Sequence, residues 1–185
     1  MGYDSIRIDE RLILRPPRME DAQPIRDIIA RDSEYLDRYM PWAESVPSLE
    51  EQNRFLTLRI ERLGPGRRSE WYAIEFDGEL VGGIELVIPD ATTDRGEIGY
   101  WLASHAQGNG IMTRAVLKLT ERALKELQLA AIWIYAELDN RPSRSVAERA
   151  GFVLNGEYSR KLRLRTHPVI MAGYSASAGE WESAN

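Results

Sequence analysis

A glycine-containing turn that opens directly into a helix is the feature that most constrains this chain. Residues 107–116 read Gln-Gly-Asn-Gly-Ile-Met-Thr-Arg-Ala-Val, and Glu97–Leu102 before them has the pattern of a strand. Gly108 and Gly110 can adopt the positive φ angles that direct successive N–H groups into one concavity, and a helix start adds its unpaired N–H groups and the positive end of its dipole. This order predicts a phosphate-binding junction, with a turn that only caps a helix as the alternative.

Two common phosphate-loop patterns do not fit this segment. A P-loop needs Lys followed by Ser or Thr after its second glycine, whereas Gly110 is followed by Ile111 and Met112. A dinucleotide-binding turn needs a third glycine, and that position holds Thr113. The pattern that remains is Gln-x-x-Gly-x-small or Met before a helix. It resembles the pyrophosphate loop of the GCN5-related N-acetyltransferases (GNAT), which use acetyl-coenzyme A (acetyl-CoA).

Three further segments resemble that family and follow its order along the chain. Residues 10–16 with Asp21-Ala22 resemble the opening strand and first helix. Residues 39–42, Tyr-Met-Pro-Trp, resemble the aromatic-Pro-Trp segment of the ribosomal-protein N-terminal acetyltransferase branch (RimJ/RimL type). Residues 140–152 resemble that branch's Asn-x-x-Ser…Glu-x-x-Gly-Phe segment. The chain is therefore identified as a member of this branch.

The resemblance implies an α/β (α+β) GNAT fold, with a mixed, mostly antiparallel twisted sheet of about seven strands and about four flanking helices. Local patterns agree with mixed secondary structure. Asp77-Gly78 between two β-rich runs predicts a hairpin, and Ser48 with Glu51 predicts a helix capping box. The run Ile132–Ala136 predicts a strand buried on both faces.

Composition indicates an ordinary soluble protein. The 185 residues are 43% hydrophobic and 29% charged, and no apolar run approaches the ~20 residues of a membrane helix. The first residues lack the basic start and apolar core of an export signal, so we expect a cytoplasmic location and no membrane partner. We predict a single domain over residues 1–175 and a disordered tail over 176–185.

Charge and residue types exclude several functions. The net charge of −5 argues against a nucleic-acid partner, and it suits a cationic or amine partner or solubility alone. The absence of cysteine removes thiol nucleophiles and thiolate metal ligands. The only histidines are His105 and His167 and no Gly-x-Ser-x-Gly occurs, so a Ser-His-Asp hydrolase has no support and we predict no metal site.

Acetyl transfer to an amine requires a base, because an alkyl ammonium must lose a proton before its nitrogen can attack. The resemblance places this base on the strand before the phosphate loop, where the chain has Glu97, with an exposed strand carboxylate as the alternative. Glu85 is the second candidate, as a base or as a partner for a cationic acceptor. Tyr39 and Trp42 are predicted either to pack two helices together or to form a wall of the acceptor pocket.

The resemblance also indicates a proton donor for the departing thiolate. Many relatives have a tyrosine four residues before the Gly of Gly-Phe, where this chain has Ala147. Ser143 is therefore the expected donor, with a helix N-cap as its alternative role. Asn140 is expected to hydrogen-bond the pantetheine arm. Together with Asn140 and Ser143, the predicted cofactor-binding residues are those of the loop and helix start: Gln107, Gly108, Asn109, Gly110, Ile111, Met112 and Thr113.

The sequence thus predicts an N-acetyltransferase that moves acetyl from acetyl-CoA directly to a primary amine. The acceptor is a peptide N-terminus or a small amine, and the protein is a monomer or a homodimer. The alternative is a catalytically inactive CoA-binding sensor or partner module of the same fold, since fold does not fix function.

Overall fold

The computed structural model describes residues 3–61, 69–89, 94–162, 165–179 and 181. Within these ranges the strands are β1 (Ile6–Arg7), β2 (Leu12–Arg15), β3 (Ser69–Phe76), β4 (Glu79–Val87), β5 (Arg95–Leu102), β6 (Ala131–Glu137), β7 (Val153–Arg160) and β8 (Val169–Ser177). The α-helices are α1 (Ala22–Asp37), α2 (Leu49–Glu61), α3 (Ile111–Glu121) and α4 (Arg141–Arg149). None of the helices in the described ranges is long and apolar enough to cross a membrane.

The strands form one sheet in the order β1-β2-β3-β4-β5-β6-β8-β7. β5 pairs with β6 in parallel, whereas β1 with β2, β2 with β3, β6 with β8 and β7 with β8 are antiparallel. The register places Glu97 opposite Trp133, and Tyr135 opposite Gly173. The predicted mixed, mostly antiparallel sheet with four helices is confirmed, and the described residues give it eight strands.

Two compact units make up the chain. The first runs through Glu85 and includes residues 100–111, and the second comprises residues 86–99 and the chain from Met112 onward. In the first unit, one face of α1 supplies the buried side chains that pack with Leu56 of α2 and Trp71 of β3. α1 contains one residue with non-helical angles, Asp32 at φ −109° and ψ 15°, and this aspartate is buried.

In the second unit, the prediction that Ile132–Ala136 is buried on both faces is wrong. Along β6 the side chains of Ile132 and Ile134 are buried, but Trp133 and Tyr135 between them are only half-buried. The register pairs Ile134 with Tyr174, whose hydroxyl donates to Glu148 of α4 at 2.8 Å. α4 therefore covers the isoleucine face, and the aromatic residues lie on the opposite one.

Local sequence signals in the first unit are confirmed. Asp77 and Gly78 have φ angles of 53° and 81° between β3 and β4, as a two-residue hairpin turn requires. At the start of α2, the backbone N–H of Ser48 donates to Glu51 Oε2 at 2.8 Å, and the N–H of Glu51 donates to Ser48 Oγ at 3.2 Å. These reciprocal bonds form the predicted capping box.

The predicted tail, residues 176–185, begins within a strand. β8 extends through Ser177, with Ala176 opposite Ile132. Trp181 is 5% exposed, and its ring centroid lies 6.0 Å from that of Phe152. Strand pairing and burial of an indole thus offset the small, polar composition that predicted fraying. Residues 180 and 182–185 of the predicted tail lie outside the described residues.

Candidate active site

The glycine loop has the backbone geometry that the sequence predicts. Gly108 and Gly110 have φ angles of 78° and 68°, and α3 begins at the next residue, Ile111. A Cβ added to either glycine would meet no atom within 4 Å. The backbone angle rather than crowding therefore favours glycine at both positions, and the space beside the loop is open.

Side chains of this loop are engaged in holding the loop itself. Asn109 Nδ2 donates to the carbonyl oxygens of Ala106 and Gln107 at 3.3 Å and 3.1 Å. The side chain of Gln107 hydrogen-bonds Tyr35, and burial raises the pKa of that tyrosine despite this bond. The groups of the loop that remain to meet an anion are therefore its backbone N–H groups and those at the start of α3.

A buried carboxylate that the sequence analysis missed supports the turn before the loop. Asp32 accepts from the backbone N–H of Ser104 at 2.8 Å and from its hydroxyl at 2.7 Å. Arg31 Nε donates to Asp32 at 3.2 Å, and Arg31 Nη2 lies 2.9 Å from His105 Nδ1. Burial opposes ionisation of Asp32, but the bonds from Arg31 and Ser104 outweigh it and lower its pKa.

A signal for Asp32 exists in the sequence. Asp32 falls on the helical stripe of Ile25, Ile28, Ile29 and Leu36, all of which are buried. A charged residue on an apolar stripe is almost never fully buried without a partner, so the pattern predicts a specific polar contact. Nothing in the sequence identifies Ser104, which lies 72 residues further along the chain.

The start of α4 brings Asn140 and Ser143 together. Asn140 is the N-cap, and its side-chain oxygen accepts from the backbone N–H of Ser143 at 3.2 Å. The alternative role of Ser143 as the N-cap is therefore wrong, because both residue types are good caps and only the backbone geometry distinguishes them. At the other end of α4, Arg149 Nε donates to Thr113 Oγ1 at 3.4 Å, which links α4 to the first turn of α3.

The carboxylate of Glu97 is held by an arginine that the sequence analysis did not single out. Arg160 Nη1 and Nη2 donate to its two oxygens at 3.0 Å and 2.9 Å. The guanidinium carbon of Arg160 lies 4.0 Å from the ring centroid of Tyr135. Burial raises the pKa of Tyr135, Arg160 opposes this rise and Glu97 adds to it. The Arg160 side chain therefore contacts both the Glu97 carboxylate and the face of the Tyr135 ring.

Two more rings complete what we term the Glu97 cluster: Glu97, Trp133, Tyr135, Tyr158 and Arg160. Trp133 stacks on Tyr135 with centroids 5.6 Å apart and planes 11° apart, and Tyr158 meets both rings edge-on. A Cβ at Gly173 would lie 2.5 Å from the Tyr158 ring, so this glycine makes room for it. The alternating aromatic residues of β6 are the sequence signal for this cluster, although the composition of the strand predicts burial on both faces.

Glu85, the second candidate base, lies in a comparable arrangement in the first unit. Arg59 Nη2 is 3.6 Å from Glu85 Oε2, and the Ser69 hydroxyl donates to Glu85 Oε1. The guanidinium carbon of Arg59 lies 3.9 Å from the centroid of Phe55, which meets Trp71 edge-on at 5.8 Å. We term Glu85, Arg59, Ser69, Phe55 and Trp71 the Glu85 cluster.

The segment from Tyr39 to Trp42 combines features of both of its predicted roles. Met40 packs on the core of the first unit, whereas the Trp42 side chain is 40% exposed and meets Trp101 edge-on at 5.9 Å. Tyr39 is half-buried, with the Arg38 guanidinium 5.2 Å from its ring centroid. The segment therefore anchors the helices and also presents an indole to solvent.

In the described part of the chain, no three His, Asp or Glu side chains form a group that could hold a metal.

Comparison with known proteins agrees with this fold. The family model for the acetyltransferase (GNAT) domain matches residues 11–153. The chain therefore belongs to the GNAT family, whose members transfer acetyl from acetyl-CoA, and it is an acetyl-CoA-dependent N-acetyltransferase.

Similar proteins include enzymes named for ribosomal substrates. The chain is 29% identical over 176 residues to YdaF of Bacillus subtilis (strain 168), provisionally named a ribosomal N-acetyltransferase, covering 95% of this chain and 96% of YdaF. It is 27% identical to the ribosomal-protein-serine acetyltransferase of Escherichia coli (strain K12), over 83% of this chain and 85% of that protein. The structure of Mycobacterium smegmatis RimJ in complex with CoA-disulfide aligns with a TM-score of 0.80 at 28% identity, covering 91% of this chain and 83% of RimJ.

Proposed function

We propose that the enzyme acetylates the N-terminal amine of a ribosomal protein. The observation that carries the proposal is one continuous stretch of the chain, β5, the glycine loop and the start of α3. In it a partly exposed carboxylate, Glu97, lies on the strand that runs into a positive-φ glycine loop. The relatives named for ribosomal substrates support this acceptor class over small amines. Since ribosomal proteins occur in the cytoplasm, the proposal includes that location.

The donor is held mainly by the backbone in this proposal. The N–H groups of residues 108–113 bind the pyrophosphate of acetyl-CoA, because the loop and the helix start direct unpaired donors toward one anion. Asn140 and Ser143 contact the pantetheine arm. Tight binding by the main chain explains why the side chains of Gln107 and Asn109 can be used to hold the loop.

Gly110→Val tests this donor site. A β-branched residue disfavours a φ of 68°, so the loop should lose its geometry and acetyl-CoA should bind at least ~100-fold more weakly. Gly78→Val is the matched control, because Gly78 has a similar φ of 81° and open space around a Cβ but lies in the β3–β4 turn. Calorimetric titration with acetyl-CoA measures both. Unchanged affinity in a folded Gly110→Val protein would contradict the proposed donor site.

Chemistry proceeds by direct transfer without a covalent enzyme intermediate. Glu97, directly or through water, takes the proton from the acceptor ammonium, and the neutral nitrogen attacks the thioester carbonyl carbon. The tetrahedral intermediate collapses with cleavage of the C–S bond, Ser143 gives a proton to the departing thiolate, and Ser143 regains a proton, directly or through water, from the attacking nitrogen, which becomes the neutral amide. Alignment of the two reactants supplies much of the remaining acceleration.

Ser143→Ala tests the proton donor. kcat should fall by ~10²-fold with little change in the KM for acetyl-CoA. Because Asn140 rather than Ser143 caps α4, the melting temperature should stay close to that of the wild type. Ser145→Ala, two residues further along α4, is the matched control. A normal kcat in Ser143→Ala would show that another group or water protonates the thiolate.

An acceptor panel tests the substrate class. Thiol release from acetyl-CoA is measured with short peptides that begin with Ser or Ala, and with spermidine and related polyamines. We expect higher kcat/KM for the peptides. Faster turnover of polyamines would replace the protein acceptor by a small amine. Coenzyme A binding without thiol release for any acceptor would support the inactive sensor.

A further inference from the structure

We propose that Arg160 is an internal stand-in for the cationic acceptor. In the free enzyme its guanidinium occupies the site that the Glu97 carboxylate and the Tyr135 ring form, and the ammonium of the acceptor displaces it during each turnover. Arg160 is thereby a specificity-determining residue. This inference rests on the proposed function, in which Glu97 takes the proton of the acceptor amine.

The cluster has the composition of a cation-binding site. A guanidinium bonds both oxygens of Glu97 at 2.9–3.0 Å and lies 4.0 Å from the Tyr135 ring centroid. A primary ammonium has the same two requirements, a carboxylate to accept its hydrogen bonds and an aromatic face to receive its charge. The group that now fills the site therefore indicates the chemistry of the group that can replace it.

The aromatic rings of the site hold one another in place, whereas Arg160 is partly exposed and lies at the end of a strand. Trp133 stacks on Tyr135 and Tyr158 meets both rings edge-on, which fixes the ring that Arg160 covers. Arg160 itself is the last residue of β7, an edge strand of the sheet. The side chains of Arg160 and Glu97 are 33% and 35% exposed. Water screens a pair of this exposure and the long arginine side chain loses entropy when held, which offsets part of the gain from the bidentate contact, so an incoming cation can compete with Arg160 for the carboxylate.

Displacement has a chemical consequence for the proposed base. A carboxylate whose two oxygens both accept from a guanidinium has its charge compensated and two of its roughly four lone-pair sites engaged. An ammonium can bind the same two sites of Glu97, and give up its proton there, only after the guanidinium has left. Entry of a cationic acceptor therefore releases the base, and neutral nucleophiles that cannot compete with Arg160 do not.

Removal of the stand-in should improve acceptor binding. In Arg160→Ala and Arg160→Gln, we expect the KM of the peptide acceptor to fall about fivefold, with kcat changed by less than about twofold. Arg11→Ala is the matched control. Arg11 Nε donates to Asp77 Oδ1 at 2.7 Å and its guanidinium carbon lies 4.6 Å from the Phe76 centroid, so it makes the same two contacts at the β3–β4 turn. Its replacement should leave the acceptor KM unchanged.

Competition by guanidinium provides a readout that a purely structural role would not affect. Guanidine hydrochloride at millimolar, non-denaturing concentrations should inhibit Arg160→Ala competitively with the acceptor. It should inhibit the wild type more weakly, because there the site already holds a guanidinium. Equal inhibition of both proteins would overturn the proposal.

Two variants separate failure of this inference from failure of the proposed function. If Glu97→Gln retains the wild-type kcat, then Glu97 is not the base and the proposed chemistry fails. If Glu97→Gln is slow but both folded Arg160 variants keep or raise the acceptor KM, only the stand-in role is overturned. In the Glu97→Gln background, Arg160→Ala should no longer lower the acceptor KM, since the carboxylate for which the two cations compete is absent.

Discussion

The Glu85 cluster and the Glu97 cluster contain the same three parts, and they differ in how those parts are held. Each has a strand carboxylate, an arginine paired with it and an aromatic ring under the guanidinium, at 3.9 Å in one and 4.0 Å in the other. The sequence offers both carboxylates as candidate bases. Their surroundings distinguish them.

Glu85 is cross-linked within the first unit. It accepts from Ser69 on β3 and lies 3.6 Å from Arg59 on α2, and both charged side chains are 23% exposed. Its aromatic partner Phe55 packs against the buried core of that unit. Glu97 instead pairs with Arg160 on an edge strand, and its side chain has a larger exposed fraction, 35%. A carboxylate held from two elements stabilises the fold, whereas one held by a single exposed side chain can exchange partners.

The largest expected difference between the clusters is in turnover. Glu97→Gln should lower kcat near neutral pH by ~10²-fold, because the amide keeps the shape of the side chain and cannot take a proton. The rate should recover partly at high pH, where more of the amine, with a pKa near 10, is already neutral. Glu85→Gln should keep kcat and lower the melting temperature. Steady-state thiol release and thermal unfolding measure both, and a slow Glu85→Gln with a normal Glu97→Gln would exchange the two roles.

The next effect concerns the rings. Tyr135→Leu should raise the KM for a cationic acceptor about fivefold, because leucine fills space without offering a π face. Phe55→Leu should leave that KM unchanged and cost about 1 kcal/mol of unfolding free energy, from lost packing against Trp71. The acceptor KM and urea unfolding of both variants make the comparison. An acceptor KM that rises in Phe55→Leu alone would assign acceptor binding to the Glu85 cluster.

The smallest effect is expected from the serine that only the Glu85 cluster contains. Ser69→Ala removes the hydroxyl that donates to Glu85 and should cost about 1 kcal/mol of unfolding free energy. Acetyl transfer should be unaffected, with kcat and both KM values within error of the wild type. A change in acceptor KM without a change in stability would show that Glu85 contacts the acceptor.

The sequence by itself determined the features that depend on a few neighbouring residues. The glycine loop, the Asp77-Gly78 hairpin turn and the capping box at Ser48 all follow from backbone preferences and short-range hydrogen bonds. The resemblance of the glycine loop and of three other segments, residues 10–16 with Asp21-Ala22, 39–42 and 140–152, to GNAT enzymes then indicated the class of fold and the donor, which the family match confirms. Local signals failed where two residues offered the same chemistry, as Asn140 and Ser143 did for the cap of α4.

Only the tertiary structure decided which charged side chains meet. Glu97 and Arg160 are 63 residues apart, and Asp32 and Ser104 are 72 residues apart. The first contact depends on the order and register of β5, β6, β8 and β7, and a shift of one residue would turn every side chain of a strand to the other face. The same limit explains β6, whose apolar composition predicted two buried faces although α4 covers one. Strand composition reports how well a residue fits a sheet, whereas its partners are fixed by strands that are distant in the chain.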